Sequence, residues 1–234
     1  MVKGRRWVLK HHFDGVPKAE DFELVEEDLP EIKDGQVLVK ALWLSVDPYM
    51  RPYTARLNPP FTMIGEALFK VLESKNQKFP KGSQLLCNCG WIDVGILDPN
   101  DKFSAPGQNS KLTPHPAPSI GNLSSSLLLG ACGMTGNTAY FGLLELCKPK
   151  AGETVVVNGA AGAVGSLVGQ IAKIKGCRVI GFAGTDEKCE LLVQKFGFDK
   201  AYNYKKVTPP FFLFLIRKQN PFEFFLSRQR LKRR

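Results

Sequence analysis

Between Thr154 and Gly165 the chain reads Thr-Val-Val-Val-Asn-Gly-Ala-Ala-Gly-Ala-Val-Gly. A β-branched run enters a turn of small residues and leaves as an apolar series at helical spacing. The pattern Ala160-x-Gly162-x-x-Gly165, with Gly159 one step earlier, lets a backbone approach a diphosphate closely. The helix that follows offers unpaired N–H groups and partial positive charge at its first turn. Glycines alone are a weak sign; the strand before them and the helix after them give the pattern its weight. The plainer alternative is a strand-to-helix turn whose small residues serve tight packing.

The second strand decides which dinucleotide fits. A site for NAD places an acid at the end of that strand to hold the ribose hydroxyls. Here the strand Arg178 to Phe182 runs into Ala183-Gly184-Thr185, with no acid. Asp186 comes late and, with Glu187, suits the first turn of the next helix. Lys188 follows and can meet a 2′-phosphate, so the charges favour NADP(H). The competing reading of Lys188 is a solvated helix residue.

Other reactive residue types carry less. Six cysteines stand at positions 87, 89, 132, 147, 177 and 189, and the close pair Cys87-Asn88-Cys89 is one residue short of a Cys-x-x-Cys motif. With no second pair and no nearby histidine, buried free thiols are expected and no metal. His11, His12 and His115 are read as surface residues, His115 with some chance of lining a loop at a site.

These groups need elements to hold them. Thr154–Val157 has the apolar character of a strand buried on both faces. Val164, Leu167, Val168, Ile171 and Ile174 define one helical face, with Gln170, Lys173 and Lys175 opposite. Gly176 can take the left-handed stop. A helix from about Asp186 to Phe196 ends at Gly197, and Ala201–Tyr204 reads as a third strand. Upstream, Ser124–Leu129 reads as a short helix and Gly136–Leu146 as a longer one.

Residues 1–120 show no helical period. Short β-rich runs (6–9, 22–27, 36–44, 65–73 and 83–89) alternate with Gly and Pro turns, which predicts a small irregular β-barrel. Gln36–Leu44 turns uniformly apolar and is read as a central strand. The expected division is a β-rich domain over 1–125, a nucleotide-binding portion over 126–207 and a tail over 208–234. At 234 residues, with 44% hydrophobic and 23% charged residues, the chain can bury a sizeable core as an ordinary globular protein. No 18-residue apolar run exists, so no membrane span is expected. The N-terminus lacks the apolar core of a signal peptide, and a cytoplasmic location is the expectation.

The net charge of +10 does not indicate nucleic acid, because residues 208–234 carry seven Lys/Arg against one Glu. That tail also holds six phenylalanines and no convincing period, so it is expected to be disordered. Contact of its Phe and Arg/Lys clusters with an anionic membrane or RNA is the lesser reading, since such charge runs are usually solvated.

The segment Leu44-Ser45-Val46-Asp47-Pro48-Tyr49-Met50-Arg51, the stretch Gly133 to Leu143 and the glycine turn occur together in one order. In this the chain resembles the zinc-free medium-chain dehydrogenase/reductase family, in its prostaglandin reductase and alkenal double-bond reductase branch. Asp186-Glu187-Lys188 and Asn203-Tyr204-Lys205 extend the resemblance to about residue 207. It implies a GroES-like β-rich N-terminal domain followed by a Rossmann domain. Zinc-dependent relatives carry a Cys near Ser45 and a His between residues matching Gly65 and Glu66; neither is present.

The resemblance also implies an activity: NADPH-dependent reduction of the C=C bond of α,β-unsaturated aldehydes and ketones such as 15-oxo-prostaglandins and lipid alkenals. Some members oxidise the leukotriene B4 hydroxyl. Carried over by residue, Gly162, Ala163, Val164 and Gly165 cradle the pyrophosphate, and Lys188 and Tyr204 contact the 2′-phosphate end. Met134 and Thr138 lie near the cofactor, and Tyr49 lies beside nicotinamide and substrate. On residue type alone Tyr49 could equally brace a proline turn, and Met134 could be packing. The family forms homodimers, an assembly doubtful for this chain.

After Val207 the resemblance stops, and the tail reads as a non-family end, either read-through of non-coding sequence or an alternative terminal exon. Only the first half of the Rossmann sheet is then expected, with its first strand left as an unpaired apolar edge. The alternative function is a catalytically inactive shortened form that keeps partial nucleotide binding.

Overall fold

The computed structural model describes residues 2–99 and 114–207 and the backbone of a strand at Phe222–Phe225. It divides into two compact units, Met1–Leu129 and Gly130–Arg234. The fold is mixed α/β, a β-rich sheet in the first unit and a parallel sheet in the second.

The first unit contains β1 (Val2–Leu9), β2 (Phe22–Leu29), β3 (Val37–Leu44), α1 (Met50–Thr54), β4 (Phe61–Thr62), β5 (Ala67–Ser74), β6 (Gln84–Cys87), β7 (Ile92–Leu97) and β8 (His115–Pro116). Among the described residues these strands make one sheet in the order β2-β1-β7-β3-β5-β6-β8, with β4 paired to β1. Its core forms where alternate residues of β3, β5 and β6 face inward: Val37, Val39, Ala67, Phe69, Val71, Leu85 and Cys87. A second cluster, with Leu9, Met50, Leu57, Phe61, Met63 and Ile64, packs under α1.

β3 is central in order, as expected, yet its uniformly apolar half is the exposed half. Trp43 is 49% exposed, and Leu42 and Leu44 are each 38% exposed. Pairing explains this. On the β7 side the ladder runs only from Val37 to Lys40. Beyond it a groove of about 430 Å³ opens, lined by Trp7, Leu24, Leu42, Trp43, Leu44 and Trp91 among others.

The second unit opens with α2 (Met134–Tyr140), which widens into a π-helical turn over Phe141–Cys147. Then follow β9 (Thr154–Asn158), α3 (Ala163–Ile174), β10 (Arg178–Ala183), α4 (Asp186–Gln194), β11 (Lys200–Asn203) and β12 (Phe222–Phe225). The sheet is parallel, in the order β11-β10-β9-β12. β9 therefore lacks the bare edge expected of it: Thr154–Val157 pairs with Phe222–Phe225 of the tail. The rest of the tail, whose disorder was expected, lies outside the described residues. So do the basic residues 228–234.

α3 seats Val168, Gly169 and Ala172 against the sheet, with the Phe198 ring against Gly169. Ile174 does not join that face; it is 83% exposed at the last turn. Lys173 acts by direct pairing, its Nζ donating to both Asp199 oxygens at 2.8 Å. Asp199 also accepts from the Val179 amide at 2.6 Å, so one carboxylate ties α3 to β10. Among the described residues no helix is long and apolar enough to cross a membrane.

Burial acts to raise the Asp199 carboxyl, but Lys173 and the Val179 amide outweigh it and hold it below its ordinary 3.8. A depressed folded value stabilises the fold above the unfolded value and stops doing so as pH falls through the folded one. Asp199→Ala is expected to cost about 1–3 kcal/mol at neutral pH, since it leaves Val179 N–H without its acceptor. Urea melts across pH should show the gap between parent and variant closing well below pH 4.

Candidate functional site

The glycine turn is built by backbone. β9 ends at Asn158, whose side-chain oxygen accepts from Gly159 N–H at 2.9 Å. Gly159 turns left-handed at φ 63°, a conformation that a side chain would strain. Ala160 N–H donates to Phe182 O at 2.9 Å and pins the turn to β10. Gly162 caps α3 in extended conformation, and Ser166 N–H donates to Gly162 O at 2.9 Å. By helix geometry the amides of Ala163, Val164 and Gly165 come before any intrahelical acceptor. A Cβ on Gly165 would lie 2.5 Å from Gly159 O and 2.9 Å from Ala160 Cα, so the turn closes only around a hydrogen. Three first-turn amides behind a turn without side chains fit a diphosphate.

The end of β10 sits beside this turn. α4 starts from Thr185, whose hydroxyl accepts from Lys188 N–H at 3.3 Å. Lys188 is an exposed residue of the first turn of α4. Tyr204 follows β11 with its amide on Ala183 O at 3.1 Å. A Cβ at Gly184 would lie 3.1 Å from the Tyr204 hydroxyl. Tyr204 thus stands at Gly184, and Lys188 follows in the first turn of α4, its amide tied to the Thr185 hydroxyl. Asp186, the first residue of α4, has both carboxylate oxygens engaged. Asn203 Nδ2 donates to its Oδ1 at 2.9 Å, and Lys206 pairs with its Oδ2. These two contacts, the Lys206 hydrogen bond first, hold the Asp186 carboxyl below its ordinary value. Neither Asn203 nor Lys206 stands out in the sequence. The signal was there in Asn203-Tyr204-Lys205-Lys206, a turn-forming Asn followed by cations.

Met134 and Thr138 lie one turn apart on α2, both exposed. The Thr138 hydroxyl donates to Met134 O at 2.7 Å and so is engaged within its own helix.

Tyr49 belongs to the first unit. It is half-buried just before α1, its ring edge-on to Tyr53 at 5.5 Å. Burial pushes its hydroxyl up to about 12, with Asp47 and Glu66 adding to the rise and an Asn88 hydrogen bond opposing it. Burial also raises Glu66, against the pull of His115. Asn88 is a second polar group sequence reasoning missed. Its Oδ1 is a buried side-chain atom with no partner among the described residues. Among these residues no three His, Cys, Asp or Glu gather as a metal site.

Residues 5–104 match a family profile described as the N-terminal domain of oxidoreductase, and residues 163–210 match one described as zinc-binding dehydrogenase. A rabbit (Oryctolagus cuniculus) protein, prostaglandin reductase 1, is 51% identical over 209 residues, 88% of this chain and 56% of the relative. A tobacco (Nicotiana tabacum) protein, 2-alkenal reductase (NADP(+)-dependent), is 40% identical, covering 88% of this chain and 60% of its own length. The crystal structure of CurA from Vibrio vulnificus in complex with NADPH superposes with a TM-score of 0.73 at 37% identity, over 91% of this chain and 60% of that one. The chain thus spans 56–60% of the length of these proteins.

Gly165→Ala tests the cradle. The clash is with backbone, so the turn must shift, at a cost of about 1–3 kcal/mol in a urea melt. Calorimetric affinity for ADP is expected to fall at least about tenfold. A variant with parental stability and parental affinity would show that the turn does not grip a diphosphate.

Proposed function

The chain belongs to the medium-chain dehydrogenase/reductase oxidoreductases, in the prostaglandin reductase branch, and we propose that it reduces the C=C bond of α,β-unsaturated aldehydes and ketones with NADPH in the cytoplasm. Relatives named prostaglandin reductase 1 and 2-alkenal reductase support this substrate class, and 15-oxo-prostaglandins and lipid alkenals are the members of it we propose. The observation that carries the cofactor is the glycine turn, where residue 165 has no room for a Cβ against Gly159 O, together with Tyr204 at Gly184 and Lys188 in the first turn of α4.

In this reading Gly162–Gly165 cradle the diphosphate: the amides of Ala163, Val164 and Gly165 donate to it, while the Gly162 amide closes the turn on Gly159 O at 3.0 Å. Lys188 and Tyr204 meet the 2′-phosphate, and Met134 and Thr138 flank the cofactor. NADPH, when bound, supplies a hydride to the β-carbon of the enone. The electron pair of the C=C bond shifts toward the carbonyl oxygen, and a proton from solvent completes the α-carbon. Tyr49 takes the place the resemblance gives it, beside the nicotinamide and the substrate. Raised to about 12, its hydroxyl stays protonated and remains a hydrogen-bond donor. Oxidation of a hydroxyl such as that of leukotriene B4 would be a separate reaction of the same site, with NADP+ as the hydride acceptor and solvent taking the hydroxyl proton.

Purified chain with NADPH and an alkenal, followed by cofactor absorbance, tests the proposal. Turnover is expected, and Tyr49→Phe should lower kcat about a hundredfold. The parental rate should show no loss from Tyr49 ionisation as pH rises through 10.0, the ordinary tyrosine value. NADPH should raise the melting temperature, since it binds the native state alone. A raised melting temperature without turnover supports the inactive nucleotide-binding alternative. Neither effect removes the cofactor reading as well. Sedimentation of the same preparation reports whether the chain forms the homodimer of its family.

A further inference from the structure

The acid after β10 raises a question that the cradle does not answer. Asp186 follows Gly184–Thr185 closely enough that a carboxylate there could accept from a ribose 2′-hydroxyl, and it would repel a 2′-phosphate. Both of its oxygens are already engaged, Oδ1 by Asn203 and Oδ2 by Lys206. The turn after β11 sets this up. Asn203 Oδ1 accepts from Lys205 N–H at 3.1 Å, and Lys206 N–H donates to Asn203 O at 2.9 Å. One turn thus delivers three things: an amide and an ammonium to Asp186, and the Tyr204 ring to Gly184.

We propose that Lys206, aimed by the Asn203 turn, is a specificity-determining residue for the 2′-phosphorylated dinucleotide: by clamping Asp186 it withdraws the acceptor a free 2′-hydroxyl needs and leaves Lys188 and Tyr204 to meet a phosphate. The inference rests on the NADP(H) reading above and deepens it. Stability is not the reason for the pair. The side chains of Lys206 and Asp186 are 68% and 53% exposed, and such pairs contribute little to folding. Their work is electrostatic and local, at the distance of one helical turn from the phosphate's partners. Lys188 and Lys205 have no ion-pair partner among the described residues, so with Asp186 and Lys206 cancelling each other two lysines face Glu187 alone at this end.

Calorimetry on the full chain with adenosine 2′,5′-bisphosphate and with 5′-AMP tests this without requiring turnover. The parent is expected to prefer the bisphosphate. Lys206→Gln should weaken the bisphosphate about tenfold while 5′-AMP binds as well or better. Adding Asp186→Asn to Lys206→Gln should restore the bisphosphate to within about twofold of the parent, because the freed carboxylate is then gone. A Lys206→Gln chain with the parental preference overturns the inference and leaves the cofactor reading standing. A loss that Asp186→Asn fails to rescue also overturns it, since Lys206 then acts on the phosphate itself. A parent with no preference for the bisphosphate overturns both. Melting temperatures of both variants close to the parent's confirm that the comparison is between folded proteins.

Discussion

The carbonyl of Gly159 lies so close to the start of α3 that nothing larger than hydrogen fits on residue 165. That contact fixes where the helix begins, and so where its unpaired amides point. It holds because Gly159 can turn left-handed and because Ala160 is tied to the β10 backbone. The same requirement for missing side chains recurs one layer away. A Cβ at Gly169 would lie 2.0 Å from the Phe198 ring, and one at Gly181 would lie 2.9 Å from it. The helix and strand therefore approach through a single aromatic ring, and the position of the turn relative to β10 follows. Packing of this density tolerates few changes in volume.

Much of the second unit was legible because its signals are local. β9, the turn, α3, β10 and α4 each carry their own periodicity, cap or stop within a dozen residues. The left-handed stops at Gly176 and Gly197 are where the chain has glycine and needs it. The widening of α2 into a π-helical turn was not legible. It ends at Lys148, whose amide reaches back to Leu143 O, a closure no residue pattern announces. In the first unit β4, β7 and β8 went unread. They are short or polar, and they exist because distant strands pair with them; β7 is ordered by β1 and β3. The exposed apolar half of β3 misled for the same reason. A hydrophobic run predicts burial only if something lies over it, and the ladder between β3 and β7 ends at the pair Lys40–Val94.

The candidate site was legible in its backbone and less so in its charges. Small residues at fixed spacing predict a cradle because the constraint is steric. Whether Asp186 serves or spoils a ribose site depends on what neutralises it, and that residue is twenty positions away in the turn after β11. Tyr49 shows the same division. Its type and its Asp47-Pro48 context were visible, but the raised hydroxyl depends first on burial and then on Asp47 and on Glu66 from a distant strand junction, against a hydrogen bond from Asn88.

The strand at Phe222–Phe225 covers β9 from 68 residues downstream at the Thr154 register, whereas β10 covers its other side from 24 residues away. Synthesis is vectorial, and closing distant pairs is slow. On the ribosome the two flanks of β9 are therefore sealed at different times. The nearer is closed while the chain is still emerging. The farther stays open until the closing strand is released, and for that interval a nascent Val-Val-Val edge is in the care of chaperones.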